Sequence, residues 1–193
     1  MKGGITVLTF FLMTAEEIRD RDQLAEQYIL DMAKGNLSAM GKLYELIRAD
    51  VYAYALSKTA NGADAEDAVQ DTFLRLWKYA ARYSPQGKPM AWVFTVELNV
   101  IRKYAARPQA VELDISRAAV EDSVEDRVIE SEFLRYLLLD LGEQEREIVT
   151  LHAVSGMKHR EIAELLGKPL STVLSCYNRA INKLRVKIME KGG

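Results

Sequence analysis

Near its C-terminal end the chain carries Ser171, Thr172, Ser175, Arg179 and Asn182 at helical spacing, with Lys183 beside them. Short polar donors interleaved with cations suit hydrogen bonding to phosphates and base edges rather than the making or breaking of covalent bonds. Val173, Tyr177, Ala180, Ile181, Leu184 and Ile188 fall on the opposite side of the same helix and read as its buried stripe. Such a helix needs a second one to hold it, and the preceding residues supply one. Lys158–Leu166 reads as a short helix with Ile162, Leu165 and Leu166 on one face. Gly167 suits a left-handed C-cap, and Pro169 suits the start of the next helix. Ala163, four residues before Gly167, lets two helices cross closely, and Val173, six residues after it, anchors the second. This spacing is that of a DNA-binding helix-turn-helix. From Lys158 onward there are eight cations against three acids, so this end is basic. The competing reading is an amphipathic hairpin whose polar face is merely solvated.

The whole chain does not share that charge. At 193 residues it has room for one or two domains, and its net charge of −2 argues against indiscriminate affinity for nucleic acid. The lone cysteine, Cys176, excludes an intramolecular disulfide and fits a reducing compartment, so a cytoplasmic setting is expected. It reads as a small apolar side chain rather than a redox switch. His152 and His159 lack companion ligands at metal spacing, and no cluster of nucleophile and base is present. Neither a metal, a cofactor, a small-molecule substrate nor an enzymatic activity is expected. The apolar run Ile5–Met13 is too short to span a bilayer and has no signal-peptide flanks, so no membrane-spanning segment is expected. Residues 1–14 are read as an N-terminal extension, with Met13 as a candidate start.

Taken in order, Ala15–Lys34 reads as a helix with Leu24, Tyr28 or Gln27, Ile29 and Met32 on its apolar side. Leu37–Lys58 reads as a second, carrying Met40, Leu43, Tyr44, Ile47, Val51, Tyr54 and Ala55 at helical spacing. In DAEDAVQDTFLRLWKYA, Asp64 is the expected N-cap, with Asp67 completing a box. Ala65, Ala68, Val69, Phe73, Leu76 and Trp77 form the expected buried stripe, leaving Asp67, Gln70, Asp71, Leu74 and Arg75 on the other face. By pattern alone that face is equally a solvated surface or a docking face for a partner helix. A Pro- and Gly-containing loop, Ala81–Met90, precedes a helix that ends before Pro108. Its inner side is expected at Val93, Val96, Val100 and Tyr104, and its outer side at Thr95, Asn99, Arg102 and Ala106, flanked by Trp92 and Lys103. Arg82, Lys88, Arg102, Lys103 and Arg107 make the segment basic; Glu97 adds an acid to a helix expected to meet DNA. With Tyr83 and Trp92 nearby the segment suits single-stranded DNA, although the aromatics could equally be core. Residues 108–127 read as an acidic, self-repelling linker. Helical patterning returns from about Val128, and Glu143–Ser155 leads into the helix-turn-helix with Ile148, Val149 and Leu151 inside.

The expected fold is all-α, with two small helical domains joined by a flexible acidic linker. Residues 15–107 form the first domain, and residues 128–193 the second, which bears the helix-turn-helix. At this point a resemblance becomes specific. DAEDAVQDTFLRLW followed by a Pro-containing loop and AWVF resembles region 2 of bacterial RNA polymerase sigma factors of the extracytoplasmic-function (ECF) group. The stretch from LDLGEQEREIVTLHAVSG to STVLSCYNRAINKLR resembles their region 4.

The resemblance implies a promoter-specificity subunit that recognises and melts promoters to initiate transcription, for a stress or envelope-response regulon. Asp67, Gln70, Asp71 and Leu74 would dock on the clamp helices of the polymerase largest subunit, and region 4 would meet the flap of the second. Tyr83, Ser84, Gln86 and Lys88 would capture a base flipped from the minus-ten element, with Trp92, Asn99, Arg102 and Lys103 holding the melted strand. Ser171, Thr172, Ser175, Arg179, Asn182 and Lys183 would enter the major groove at the minus-thirty-five element. An anti-sigma factor is the further partner implied. Leu98, Leu174 and Cys176 stand where the family often has basic residues, which removes phosphate contacts. Two other functions fit parts of the pattern: a helix-turn-helix regulator that opens no promoter, and a sigma-like interaction protein.

Overall fold

Thr14 opens the first helix. Its side chain accepts from the Glu17 amide at 3.2 Å while the Glu17 carboxylate accepts from the Thr14 amide at 2.7 Å, a reciprocal capping box. The structure, a computed structural model, describes residues 14–59, 62–105 and 140–191. The N-terminal extension, the linker 108–127 and the helical pattern from Val128 to Leu138 lie outside the described residues.

Helix α1 is Ala15–Ala33, and Gly35 takes φ 86° in the turn that follows. Asn36 caps α2, Leu37–Lys58, by accepting from the Ser38 amide at 3.1 Å. Then come α3, Gly62–Tyr79, a 3-10 turn Ala80–Arg82, and α4, Pro89–Ala105. Helix α2 lies centrally, packed on α1, α3 and α4. Leu43, Ile47, Val51 and Tyr54 form its fully buried stripe. Phe73 of α3 meets Tyr44 edge-on at 4.9 Å, and Phe94 of α4 meets Tyr54 at 5.4 Å.

Three expectations for this module need correction. Helix α3 starts at Gly62, so Asp64 lies in its first turn and is not its N-cap. Leu24 is 42% exposed, and the buried line of α1 runs instead through Arg21, Ala25, Ile29 and Met32. Glu97 does not face outward. The buried line of α4 is Val93, Phe94, Glu97, Val100 and Ile101; it keeps the expected Val93 and Val100 but turns toward Phe94 and Ile101, leaving Val96 and Tyr104 half-buried. Glu97 is fully buried and neither carboxyl oxygen has a hydrogen-bond partner. Burial, reinforced by nearby Asp50, holds its carboxyl well above the usual range.

The second module comprises α5, Glu143–Val149, a π-helical turn Thr150–Val154, α6, His159–Leu166, and α7, Leu170–Lys191. Gly167 takes φ 62°, and the Lys168 amide closes on the Ala163 carbonyl at 3.0 Å. This is the left-handed stop that re-aims the chain into α7. Ala163 is buried where α6 meets α7, and Val173 is fully buried. Leu141, Val149, Ala180 and Leu184 close a small core between α5 and α7. Among the described residues there is no strand, and no helix is long and apolar enough to cross a membrane.

The two modules touch. Ile148, Leu151, Met157, Ile162, Val173 and Cys176 belong to the same continuous apolar cluster as the first module's core. Polar contacts cross the boundary as well. Tyr54 donates to the Glu147 carboxylate at 2.9 Å, and Lys58 lies 3.0 Å from the same carboxylate and 3.1 Å from that of Glu143. Buried Arg21 donates to Asp50 at 2.8 Å and, across the boundary, to the Ser155 carbonyl at 2.6 Å. Gly156, at φ 66°, lies so close to Ile18 that a Cβ there would approach its Cγ1 to 2.9 Å.

Candidate nucleic-acid and partner interface

Positions 67, 70, 71 and 74 recur every three to four residues and therefore share one face of α3. Asp67 and Gln70 are exposed, Asp71 is half-buried, and Leu74 is 62% exposed. The opposite face, Ala65, Ala68, Val69, Thr72, Phe73 and Leu76, is buried on α2 and α4. An amphipathic helix with an outward leucine ringed by acids and an amide can receive another helix. Asp71 has a second duty: it accepts from the Tyr104 hydroxyl at 3.2 Å, tying α4 to α3.

The loop from Tyr83 to Lys88 is held by a residue the sequence did not single out. Glu26 of α1 accepts from the Tyr83 hydroxyl at 2.6 Å and from the Gly87 amide at 3.1 Å. Its signal lies in tertiary pairing and has no local trace. Partial burial, then the Glu26 carboxylate, raises the Tyr83 hydroxyl above the usual phenol range. The Tyr83 ring lies 5.1 Å from that of Trp92, and both are half-buried. Both rest against the core of the first module. Ser84, Gln86 and Lys88 are exposed at the tip, and Asn99, Arg102 and Lys103 are exposed along α4. Lys88 reaches to 3.9 Å from Glu161 of α6, a loose contact between exposed loop and second module.

On α7, Ser171, Thr172, Ser175, Arg179, Asn182 and Lys183 are all exposed. They do not form one free cationic surface. Glu145 of α5 draws Lys183 to 2.7 Å and Arg179 to 3.5 Å, and the Lys183 hydrogen bond holds its carboxyl below the usual range. Arg179 also donates to the Cys176 sulfur at 3.1 Å. The buried line of α7 is Val173, Cys176, Ala180 and Leu184; Tyr177 and Ile181 are half-buried beside it, and the Ile188 side chain lies outside the described residues. Cys176 is 1% exposed, so it is core and presents nothing to a ligand. Two residues the sequence reading left off the outer face are exposed there: Asn178 and Leu174, the latter 40%. Wheel arithmetic from Ser171 identifies them, since Asn178 is two turns on.

His152 and His159 stack at 4.0 Å, and both rings meet Tyr177 edge-on at 4.7 Å, pinning the π-helical turn and α6 against α7. Among the described residues no group of three or more His, Cys, Asp or Glu is placed to hold a metal ion.

Comparison with known proteins fits this geometry. The Sigma-70 region 2 family matches residues 43–110 and the Sigma-70 region 4 family residues 134–184. SigL of Mycobacterium tuberculosis, an ECF RNA polymerase sigma factor, is 30% identical over 167 residues, covering 83% of this chain and 94% of SigL. EcfG of Rhodopseudomonas palustris is 32% identical over 144 residues, 72% of this chain and 80% of its own. BldN of Streptomyces coelicolor is 29% identical over 177 residues, where the match takes in 86% of this chain but 66% of BldN. In fold, CnrH, solved with the cytosolic domain of CnrY, superposes with a TM-score of 0.61 at 24% identity, over 86% of this chain and 98% of CnrH. RpoE of Bartonella quintana, solved with the anti-sigma factor NepR, gives 0.55 at 23%, over 78% and 96%. The chain belongs to the sigma-70 family, in its ECF group of RNA polymerase sigma factors. It is accordingly a promoter-recognising subunit.

Proposed function

We propose that the chain divides this work among three surfaces. The α3 face of Asp67, Gln70, Asp71 and Leu74 docks on core RNA polymerase. The loop from Tyr83 to Lys88, with Trp92, Asn99, Arg102 and Lys103, captures and holds the melted minus-ten strand. The outer face of α7 reads the minus-thirty-five duplex. The observation that carries this division is the exposure of all three surfaces on a chain whose modules are otherwise packed together. Base flipping costs a few kcal/mol, which binding to polymerase and DNA can offset, so the role needs no catalytic group. CnrH and RpoE were each solved with a partner, CnrY and the anti-sigma factor NepR. An anti-sigma factor that covers these surfaces is the corresponding partner here.

Run-off transcription with core polymerase and genomic fragments tests the reading. Specific transcripts are expected. Polymerase binding without transcripts would identify a sigma-like interaction protein, and DNA binding without polymerase binding a plain regulator. Point variants separate the surfaces. Asp67→Arg with Leu74→Asp alters exposed positions and is expected to abolish polymerase association with unfolding unchanged; Asp71 is avoided because it also holds Tyr104. Arg179→Ala removes a side chain 63% exposed and is expected to weaken promoter duplex binding while sparing polymerase association. Equal loss of both activities in both variants contradicts the division.

A further inference from the structure

The first three turns of α7 present Ser171, Leu174, Ser175 and Asn178 outward, while Val173 and Cys176 point into the core. Arg179 and Lys183 sit toward one flank, where Glu145 holds them, and exposed Arg185 follows farther along the helix, beyond these turns. The remaining centre is uncharged and contains a leucine 40% exposed to water. It adjoins half-buried Leu170 and Tyr177 on one side and the polar residues Ser171 and Asn178 on the other.

A recognition helix enters the major groove with its N-terminal residues against the base edges. In that groove the apolar group a base pair offers is the thymine methyl, and the partner of an Asn amide is the N6/N7 edge of adenine. Leu174 and Asn178 are four residues apart, so their Cα atoms are separated by about 6 Å along one side of the helix. Stacked base pairs are separated by about 3.4 Å. The two side chains thus address one short step of DNA.

We infer that Leu174 and Asn178 make α7 a reader of A·T pairs, with Leu174 packed on a thymine methyl and Asn178 hydrogen-bonded to an adenine edge at the same or a neighbouring pair. The inference rests on α7 being the minus-thirty-five reader. It converts the missing cation at position 174 from a lost phosphate contact into a base contact.

The test uses the full chain with core polymerase. Duplexes are first selected from a randomised library for polymerase-dependent binding. Each thymine of the enriched upstream element is then replaced by deoxyuridine, which removes the methyl and keeps the pairing. Each adenine is separately replaced by 7-deazaadenine, which removes N7. One deoxyuridine is expected to weaken wild-type binding about fourfold, the effect of one buried methyl, and to leave Leu174→Ala unaffected. One 7-deazaadenine within the same step is expected to weaken the wild type by about fivefold or more and to leave Asn178→Ala unaffected. Both positions are exposed, so the variants should fold as the wild type. An enriched element without A·T pairs overturns the inference, as does equal sensitivity of wild type and variants. A loss of core binding by Leu174→Ala without DNA also overturns it, by assigning the leucine to a protein contact. A library that enriches no polymerase-dependent sequence instead removes the promoter reading on which the inference stands.

Discussion

Glu97 and His159 place opposite demands on pH. A carboxyl whose value is raised by folding contributes stability that is present below its unfolded value and fades as pH climbs through the folded one. Glu97 behaves in this way from 4.5 upward, and Asp50, which burial pushes up to about 7 despite Arg21, from 3.8. His159 has the reverse sign. Burial first, then the neighbouring His152, lowers its value from 6.5, so its contribution is present above 6.5 and is lost as the medium becomes more acidic. Replacing Glu97 by Met removes two unpaired buried oxygens at similar volume and is expected to raise unfolding stability by about 1–3 kcal/mol. Urea titrations at pH 6 and pH 9 check this, with the larger gain expected at pH 9. His159→Gln is expected to flatten the decline in melting temperature between pH 7 and pH 5, measured by thermal scans across that range.

At the scale of elements, punctuation and periodicity carried most of the architecture. Gly167 and Pro169 mark helix limits that the structure reproduces, because caps are local and short-ranged. The outward face of α3 was also legible, since its buried stripe of Ala65, Ala68, Val69, Phe73 and Leu76 is wide. On α4 the exposed side of Thr95, Asn99 and Arg102 was legible, but its inner line was not, because Phe94 and Ile101 compete with Val96 and Tyr104 for the core and only the contact of Phe94 with Tyr54 decides between them. Glu26 and Glu145 escaped notice for a related reason, each acting on residues far along the chain. Gly167 provides a test at this scale. A Cβ there would meet nothing within 4 Å, so Gly167→Ala adds backbone strain without a clash. The left-handed conformation costs a non-glycine residue about 1–2 kcal/mol. Chemical denaturation should show a loss of that size, and duplex binding should fall more than polymerase association because α7 loses its fixed angle to α6.

At the scale of the molecule, the contact between modules conflicts with reading two promoter elements at once. Elements 25 base pairs apart are separated by about 85 Å of duplex, whereas a compact body of this length has a radius of gyration of about 16 Å. The 34 residues between Ala105 and Asp140 can reach about 110 Å when extended. Simultaneous contact therefore requires the modules to part, breaking the bonds of Tyr54 to Glu147 and of Arg21 to Ser155. A binding-competent state that is partly populated weakens apparent affinity by that fraction. Arg21→Ala combined with Tyr54→Phe is expected to increase the distance between fluorophores on α3 and α7 in the free chain. It should also lower the concentration needed for half-maximal transcription. An unchanged distance distribution would show that these bonds do not hold the modules together.

The bond from Arg21 ends on the main-chain carbonyl of Ser155, and this makes its mutability one-sided. Ser155 itself is fully buried, so only a residue as small as Ala or Gly there leaves the acceptor in place. Heritable variation in how readily the chain unclasps is thus channelled to the α1 side, through Arg21 and through the fit of Ile18 against Gly156. A screen for hyperactive alleles should recover substitutions at those positions and pass over Ser155→Ala.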